Sequence, residues 1–535
     1  MTFSLSPAVT VKETDLTTTV PVVATTNGGI VGMYEWGPVN ERRLVTSPDN
    51  YELTFGKANN TNFNDWFQGF NFLAYANSLY VVRVVSASAI NASDVQELTT
   101  QVFNGTDFET KKATLDATTN SVVAKYPGAR GDKISLSYSG PADFATWAYK
   151  DLFEYTPLAA NAEIAVVILD DGEVVEQFMT STTVGSKNYQ GQTNYLIDMI
   201  NRNSEYVWLL DKFITVDAQL APTLTTGTVA LDFGADGTVP TAGNYQIGID
   251  LFADSETLDL DFAIATSDDT VGKYWLDNVC SVRRDCIGVV GVQLDTVVGL
   301  NAATATTNVI AERQKYGSTS YGFFVDNYKY QYDKYNDVWR WVALNGDVAG
   351  LMAQAIVQND SWTSPAGYNN GVIKNLDRLA YNPLKVNRDE LYKNQVNPVT
   401  ISGGSGAVLL GDKTMLEQPS AFAYYNVRRL FIVLEKAIAT ASKFQLFDYN
   451  DEFTRTNFKN MVVPYLRTVQ GQRGILDFRV VCDERNNTAD IIDQGQFIAD
   501  IYIKPNRTIQ GMNLNFIATR TGVNFDEIID QSSPT

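Results

Sequence analysis

LDLDFAIA (258–265), DDTVGKYWLDNVCSVRR (268–284) and CIGVVGVQL (286–294) follow one another almost without a break, and their alternation decides the fold class. The first and third runs are short and apolar, the pattern of buried strands. The middle run reads as a helix. GFFVDNYKYQY (322–332) continues as a further strand and NGDVAGLMAQAIVQND (345–360) as a further helix. Strands alternating with helices predict an α/β domain on a largely parallel sheet, spanning 241–405.

Upstream the pattern is different. Residues 91–240 read as a β-rich insertion, with AEIAVVILDDGEVVEQF (162–178) as a hairpin turning at Asp170-Asp171-Gly172. Before it, residues 23–90 hold the aromatic helix FNDWFQGFNFLAYANS (63–78) and the buried strand LYVVRVV (79–85). Residues 1–22 are extended in character: Val9 and Val11 alternate with Thr10 and Lys12, and Pro21 ends the run. A lone strand cannot bury itself and needs a sheet edge to join.

Downstream, 406–535 forms a last domain. After Ser420 the residues Tyr424, Val427, Phe431, Leu434, Ile438 and Ala441 recur at helical spacing, with Arg428, Arg429, Lys436 and Lys443 mostly off that stripe. A second helix is expected over Arg455–Val469. Two strands follow, FIADIYIKP (497–505) and NLNFIATRT (513–521).

Composition narrows the function. With 535 residues, two to four domains are expected. Histidine is absent, which removes Ser-His-Asp and Cys-His nucleophile systems and His-ligated zinc. Three scattered cysteines suit a reducing compartment and no disulfide framework. No stretch has the length and apolarity of a membrane helix, so no membrane insertion is expected. The net charge of −20 is uneven: 91–265 carries 9 Lys/Arg against 25 Asp/Glu, whereas 420–520 carries 13 against 10. That balance disfavours nucleic acid as a partner. GAVLLGDKT (406–414) nearly spells a phosphate-binding loop, but Asp412 stands where the lysine belongs and brings negative charge. Arg130-Gly131-Asp132 and the pairs Asp170-Asp171 and Asp268-Asp269 read as turn and helix-start residues. No catalytic residue, metal site or cofactor is expected.

Several spaced segments carry a resemblance. SPAVTVKETDLTTTVP (6–21), GGIVGMYEWGPVNERRLVTS (28–47) and FNDWFQGFNFLAYANSLYVVRVV (63–85) open the chain in an order and spacing that resemble the contractile tail sheath proteins of myovirus-type phages. The resemblance resumes at YPGARGDKISL (126–136), GDVAGLMAQ (346–354), WTSPAGYNNG (362–371), GAVLLGDKTM (406–415) and AFAYYNVRRLFIVLEKAI (421–438).

The resemblance implies a multidomain α+β and α/β fold. An inner α+β domain combines both chain ends, a middle α/β domain is subtilisin-like in fold only, and the insertion faces outward. It implies self-assembly into hexameric rings stacked around a tail tube, with baseplate and tail terminator proteins as further partners. Contraction would drive the tube through the host envelope, in a virion tail assembled in the bacterial cytoplasm. Arms at both ends would join sheets of neighbouring copies, through Val9, Val11, Leu16 and Val20 at one end and Leu514, Phe516, Ala518, Val523 and Phe525 at the other. Arg428, Arg429, Lys436 and Lys443 are the candidate tube-facing residues. The nearest alternatives are the sheaths of phage-tail-like bacteriocins, extracellular injection systems and type VI secretion systems. A carboxylate-dependent hydrolase is the rival of another class.

Overall fold

The computed structural model describes residues 26–214, 226–266, 268–402 and 406–510. Every expected arm residue, from Val9 to Val20 and from Leu514 to Phe525, lies outside these, as does the strand expected over 513–521.

The chain first forms β1 (Gly28–Gly32), β2 (Arg42–Val45), helix α1 (Phe63–Leu73) and β3 (Leu79–Arg83). The insertion then builds its own antiparallel sheet from β4 (Ile134–Ser139), β5 (Glu163–Asp170), β6 (Glu173–Ser181) and β7 (Gly227–Ala230), in the order β6-β5-β4-β7. Asp171 and Gly172 both adopt positive φ, 53° and 85°, which matches the tight turn between β5 and β6 to the strand twist. One face of this sheet packs Ile134, Leu136, Val166 and Ile168. The other packs Val167 and Leu169 on Phe144 and Trp147.

Back in the body, β8 (Phe262–Ile264), β9 (Ile287–Gly291) and β10 (Gly322–Val325) complete a six-stranded sheet in the order β10-β9-β8-β1-β3-β2. All pairings are parallel except β2 with β3. Its strands are apolar on both faces because both are covered. Ile30, Val81, Ile264 and Phe323 meet α1 and helix α2 (Asn345–Gln358) on one side. Val31, Val82, Ala263 and Phe324 meet Phe252, Trp275 and Val309 on the other.

The run 322–332, expected as one strand, divides at Asp326-Asn327. The buried Asp326 carboxylate accepts the Val399 N–H (2.9 Å) and the Tyr381 hydroxyl (2.7 Å), while the Asn327 amide donates to the Tyr381 carbonyl (2.9 Å). These bonds turn the chain out of the parallel sheet into a hairpin, β11 (Tyr328–Asp333) with β12 (Val338–Ala343). A second hairpin, β13 (Val399–Ser402) with β14 (Gly406–Leu409), lends Val399, Ala407 and Leu409 to the main core. The body therefore extends past Gly406, where the sequence reading began the last domain, because Gly406–Leu409 is paired within it and Ala407, Val408 and Leu409 are buried there.

The two ends of the parallel sheet carry different things. At the carboxyl ends of the strands the insertion departs after Arg83. The buried guanidinium of Arg83 donates to the carbonyls of Tyr34, Glu35, Gly37 and Pro127. The amino ends face the C-terminal domain, described next.

Candidate assembly interface

The C-terminal domain comprises α3 (Tyr425–Ser442), α4 (Glu452–Gly471) and a hairpin of β15 (Ile475–Val481) and β16 (Asp500–Pro505). Asp451 caps α4 by accepting the Thr454 N–H at 2.8 Å. Alternation in β16 turns Ile501 and Ile503, with the preceding Ala499, toward Phe458, Val462 and Leu466. Phe497 adds an edge-on contact with Phe458, so the face expected from 497–505 packs as one unit. Tyr502 and Leu476 remain on the open side. The hairpin is a two-stranded sheet, and among the described residues neither of its outer edges has a partner. Such edges are rows of unpaired N–H and C=O groups, ready for a further strand.

Helix α3 is buried on more of its circumference than the expected stripe. Leu430, Leu434 and Ala441 meet α4, while Tyr425 and Ile432 enter the core of the body. This corrects the candidate basic face. Arg429 is fully buried, 2.9 Å from Asp261 at the amino end of β8, and 5.0 Å from the centre of the Phe262 ring. Lys436 reaches the same Asp261 and also pairs with Asp259. Arg428 lies 3.9 Å above Phe422 and 4.5 Å from Tyr321. Only Lys443 is left exposed. The physical reason is the carboxylate inside the apolar run LDLDFAIA: a buried Asp261 demands cations, and α3 supplies them. After Lys443, the connection to α4 leaves Phe444, Leu446, Phe447 and Tyr449 in solvent.

Both described chain ends emerge beside α3, one near Arg429 and the other near the start of the helix. The Asn27 N–H is held by Asp261, the partner of Arg429, at 3.0 Å. At the other end Gln510 donates to Asp412, whose own carbonyl accepts the Tyr425 N–H at 2.7 Å.

Two family models match the chain in succession, the phage tail sheath protein central domain over residues 261–415 and the phage tail sheath C-terminal domain over 417–519. The tail sheath protein of Vibrio phage KVP40 is 31% identical over 98% of this chain and 99% of its own length. That of Enterobacteria phage T4 is 30% identical, again over 98% and 99%. The chain belongs to the phage tail sheath family.

As a tail sheath protein it has a mixed α/β multidomain fold shared with solved relatives. A sheath tail protein from Desulfitobacterium hafniense superposes with a TM-score of 0.57 at 15% identity, over 94% of this chain and all of that one. The contracted-state sheath of an extracellular contractile injection system gives 0.53 at 13%, over 97% and 99%.

The buried acids of the sheath chain are engaged in local structure. Burial lifts the Asp65 carboxyl to about 6 and the Asp326 carboxyl to about 7. Asp65 is held by the Tyr245 hydroxyl (2.5 Å) and the Met33 N–H (2.9 Å). Asp347, also raised by burial, pairs with Lys329 at 2.9 Å. Each serves its own local bonds. Among the described residues no group of three Cys, Asp or Glu side chains could hold a metal ion, and no helix is long and apolar enough to cross a membrane. Arg130 binds Asp170 at 2.7 Å, across the root of the insertion, and Asp268 caps a helix by accepting the Thr270 N–H. The near phosphate loop forms a strand and a turn.

Proposed function

We propose that this sheath protein polymerises as stacked hexameric rings around an inner tail tube and that the array shortens to drive the tube through a host envelope. The observation that carries the reading is the hairpin β15–β16, both of whose edges are unpaired among the described residues, in a domain from whose border both described chain ends depart. Residues 4–20 and 513–528 then act as arms, each adding a strand to the hairpin of another copy. Heterologous contacts whose rotation does not close give open helices. Borrowed strands supply directional main-chain hydrogen bonds that hold while domains swing as rigid bodies. The extended lattice is kinetically trapped and the shortened one lower in free energy, so neither nucleotide nor active site is needed.

In this reading the α/β body is the subtilisin-like portion of the family, without its chemistry. The insertion and the C-terminal domain, at opposite ends of the parallel sheet, face outward and toward the tube respectively. Lys443 is the one basic candidate still available for the tube. Baseplate and terminator proteins close the array, which is built in the bacterial cytoplasm. The shared fold with an injection-system sheath supports a second reading, the sheath of such a machine, but near-complete alignment with two phage proteins favours the phage tail.

Deleting residues 1–20 tests the arms. Circular dichroism should report a folded chain, and negative-stain microscopy should show no striated cylinders. Normal sheaths from that protein would refute strand donation by the N-terminal arm.

A further inference from the structure

The near phosphate loop leaves one residue unexplained. Asp412 is an acid in the turn after a buried strand, and it is only 3% exposed. No phosphate chemistry accounts for it. Its carboxylate instead gathers three neutral donors. One oxygen accepts the Thr508 hydroxyl at 2.8 Å, and the other accepts the Gln510 side-chain amide at 2.8 Å and the Tyr392 hydroxyl at 3.3 Å. The Gln510 amide also donates to Thr508 Oγ1 (2.7 Å), and the Tyr392 hydroxyl shares its one proton between Asp412 and Gln510 Oε1. Burial, then the nearby carboxylate, push the Tyr392 phenol well above its ordinary value, so it stays a donor. Lys413 lies over the Tyr392 ring at 4.1 Å and donates to the Tyr392 carbonyl.

Thr508 and Gln510 are the last described residues before the C-terminal segment. The chain reaching them is pinned step by step: the Asn506 carbonyl accepts from Asn426 on α3, and the Asn506 N–H donates to the Gly474 carbonyl. Ile509 and Gln510 themselves are exposed, so apolar burial does not hold this stretch down. A buried carboxylate does. Peeling the chain away would strip that carboxylate of two of its three side-chain donors, leaving the Tyr392 hydroxyl.

We propose that Asp412 is the positioning residue of the C-terminal arm: it locks residues 508–510 to the α/β body and so fixes the direction in which residues 511–535 leave toward a neighbouring copy. This rests on the arm reading above. It also gives the arm a mechanical root, because a pull from the neighbour is delivered through Asp412 to the body and, through the Tyr425 N–H, to the start of α3.

The test uses the full chain carrying Thr508→Val with Gln510→Leu, beside Thr508→Ser and a chain ending at Gln510. Valine keeps the shape of threonine and loses the hydroxyl; serine does the reverse. Assembly onto purified tubes, counted by electron microscopy, should fall about tenfold for the double variant and stay near wild type for Thr508→Ser, with hydrogen exchange over 500–510 rising by a similar factor. Wild-type exchange and assembly in the double variant, with assembly lost in the truncated chain, would overturn the role of Asp412 while leaving the arm intact. Normal assembly of the truncated chain would remove the arm reading itself, and the proposal with it.

Discussion

At the scale of single residues, the molecule is held at its domain junction by a buried charge cluster. Arg429 and Asp261 are each within 1% of full burial, and Lys436 shares the same carboxylate. Truncating one member of such a pair strands the other charge, so Arg429→Ala should lower the unfolding free energy by about 3–5 kcal/mol, read by urea titration. Charge reversal here would therefore report on folding before it reported on any partner. Asp326 makes a pH prediction. Its folded pKa is pushed up to about 7 by burial, against roughly 3.9 in an unfolded chain. The folded state binds this proton more tightly, so the associated stability is complete below about 4 and is lost as pH rises through 7. Asp326→Asn removes that dependence. Relative to wild type, the variant should gain up to about 4 kcal/mol between pH 4 and pH 8, and a pH-independent difference would contradict the assignment.

At the scale of elements, α1 and α2 approach so closely that only glycine fits between them. A Cβ on Gly346 would stand 2.1 Å from the Gln68 carbonyl oxygen, a backbone atom that cannot swing aside. Gly346→Ala should cost about 3 kcal/mol in thermal or urea unfolding, and a neutral effect would show that the helices slide freely. Element types and their order could be read from sequence, because 258–294 and 345–358 have unambiguous periods. The facing of α3 could not. A helix buried on two sides has apolar residues nearly all round, so the stripe Tyr424–Ala441 did not reveal that Arg428, Arg429 and Lys436 point inward. The signal was present in Asp259 and Asp261, acids in an apolar run, which call for cations from elsewhere. The break at Asp326-Asn327 was hidden for a related reason: it is made by side-chain hydrogen bonds to residues more than 50 positions away, which no local pattern records. Asp412 was noticed as an anomaly, but its partners Thr508 and Gln510 lie almost a hundred residues downstream.

At the scale of the whole molecule, the sheath chain is an α/β body with an acidic insertion at one end of its sheet and a hairpin domain at the other. The body is closed by two apolar cores, whereas among the described residues the hairpin ends in unpaired edges and the α3–α4 connection shows bare aromatics. An interior that is complete beside a border that is not describes a part made for a polymer. The most direct measurement is a high-resolution cryo-electron microscopy map of the assembled sheath, traced through residues 1–25 and 511–535. The account predicts that β15–β16 becomes the centre of a larger sheet, its two edges taken by strands from other copies. A map in which the hairpin stays two-stranded and both chain ends fold back on their own protomer would contradict it.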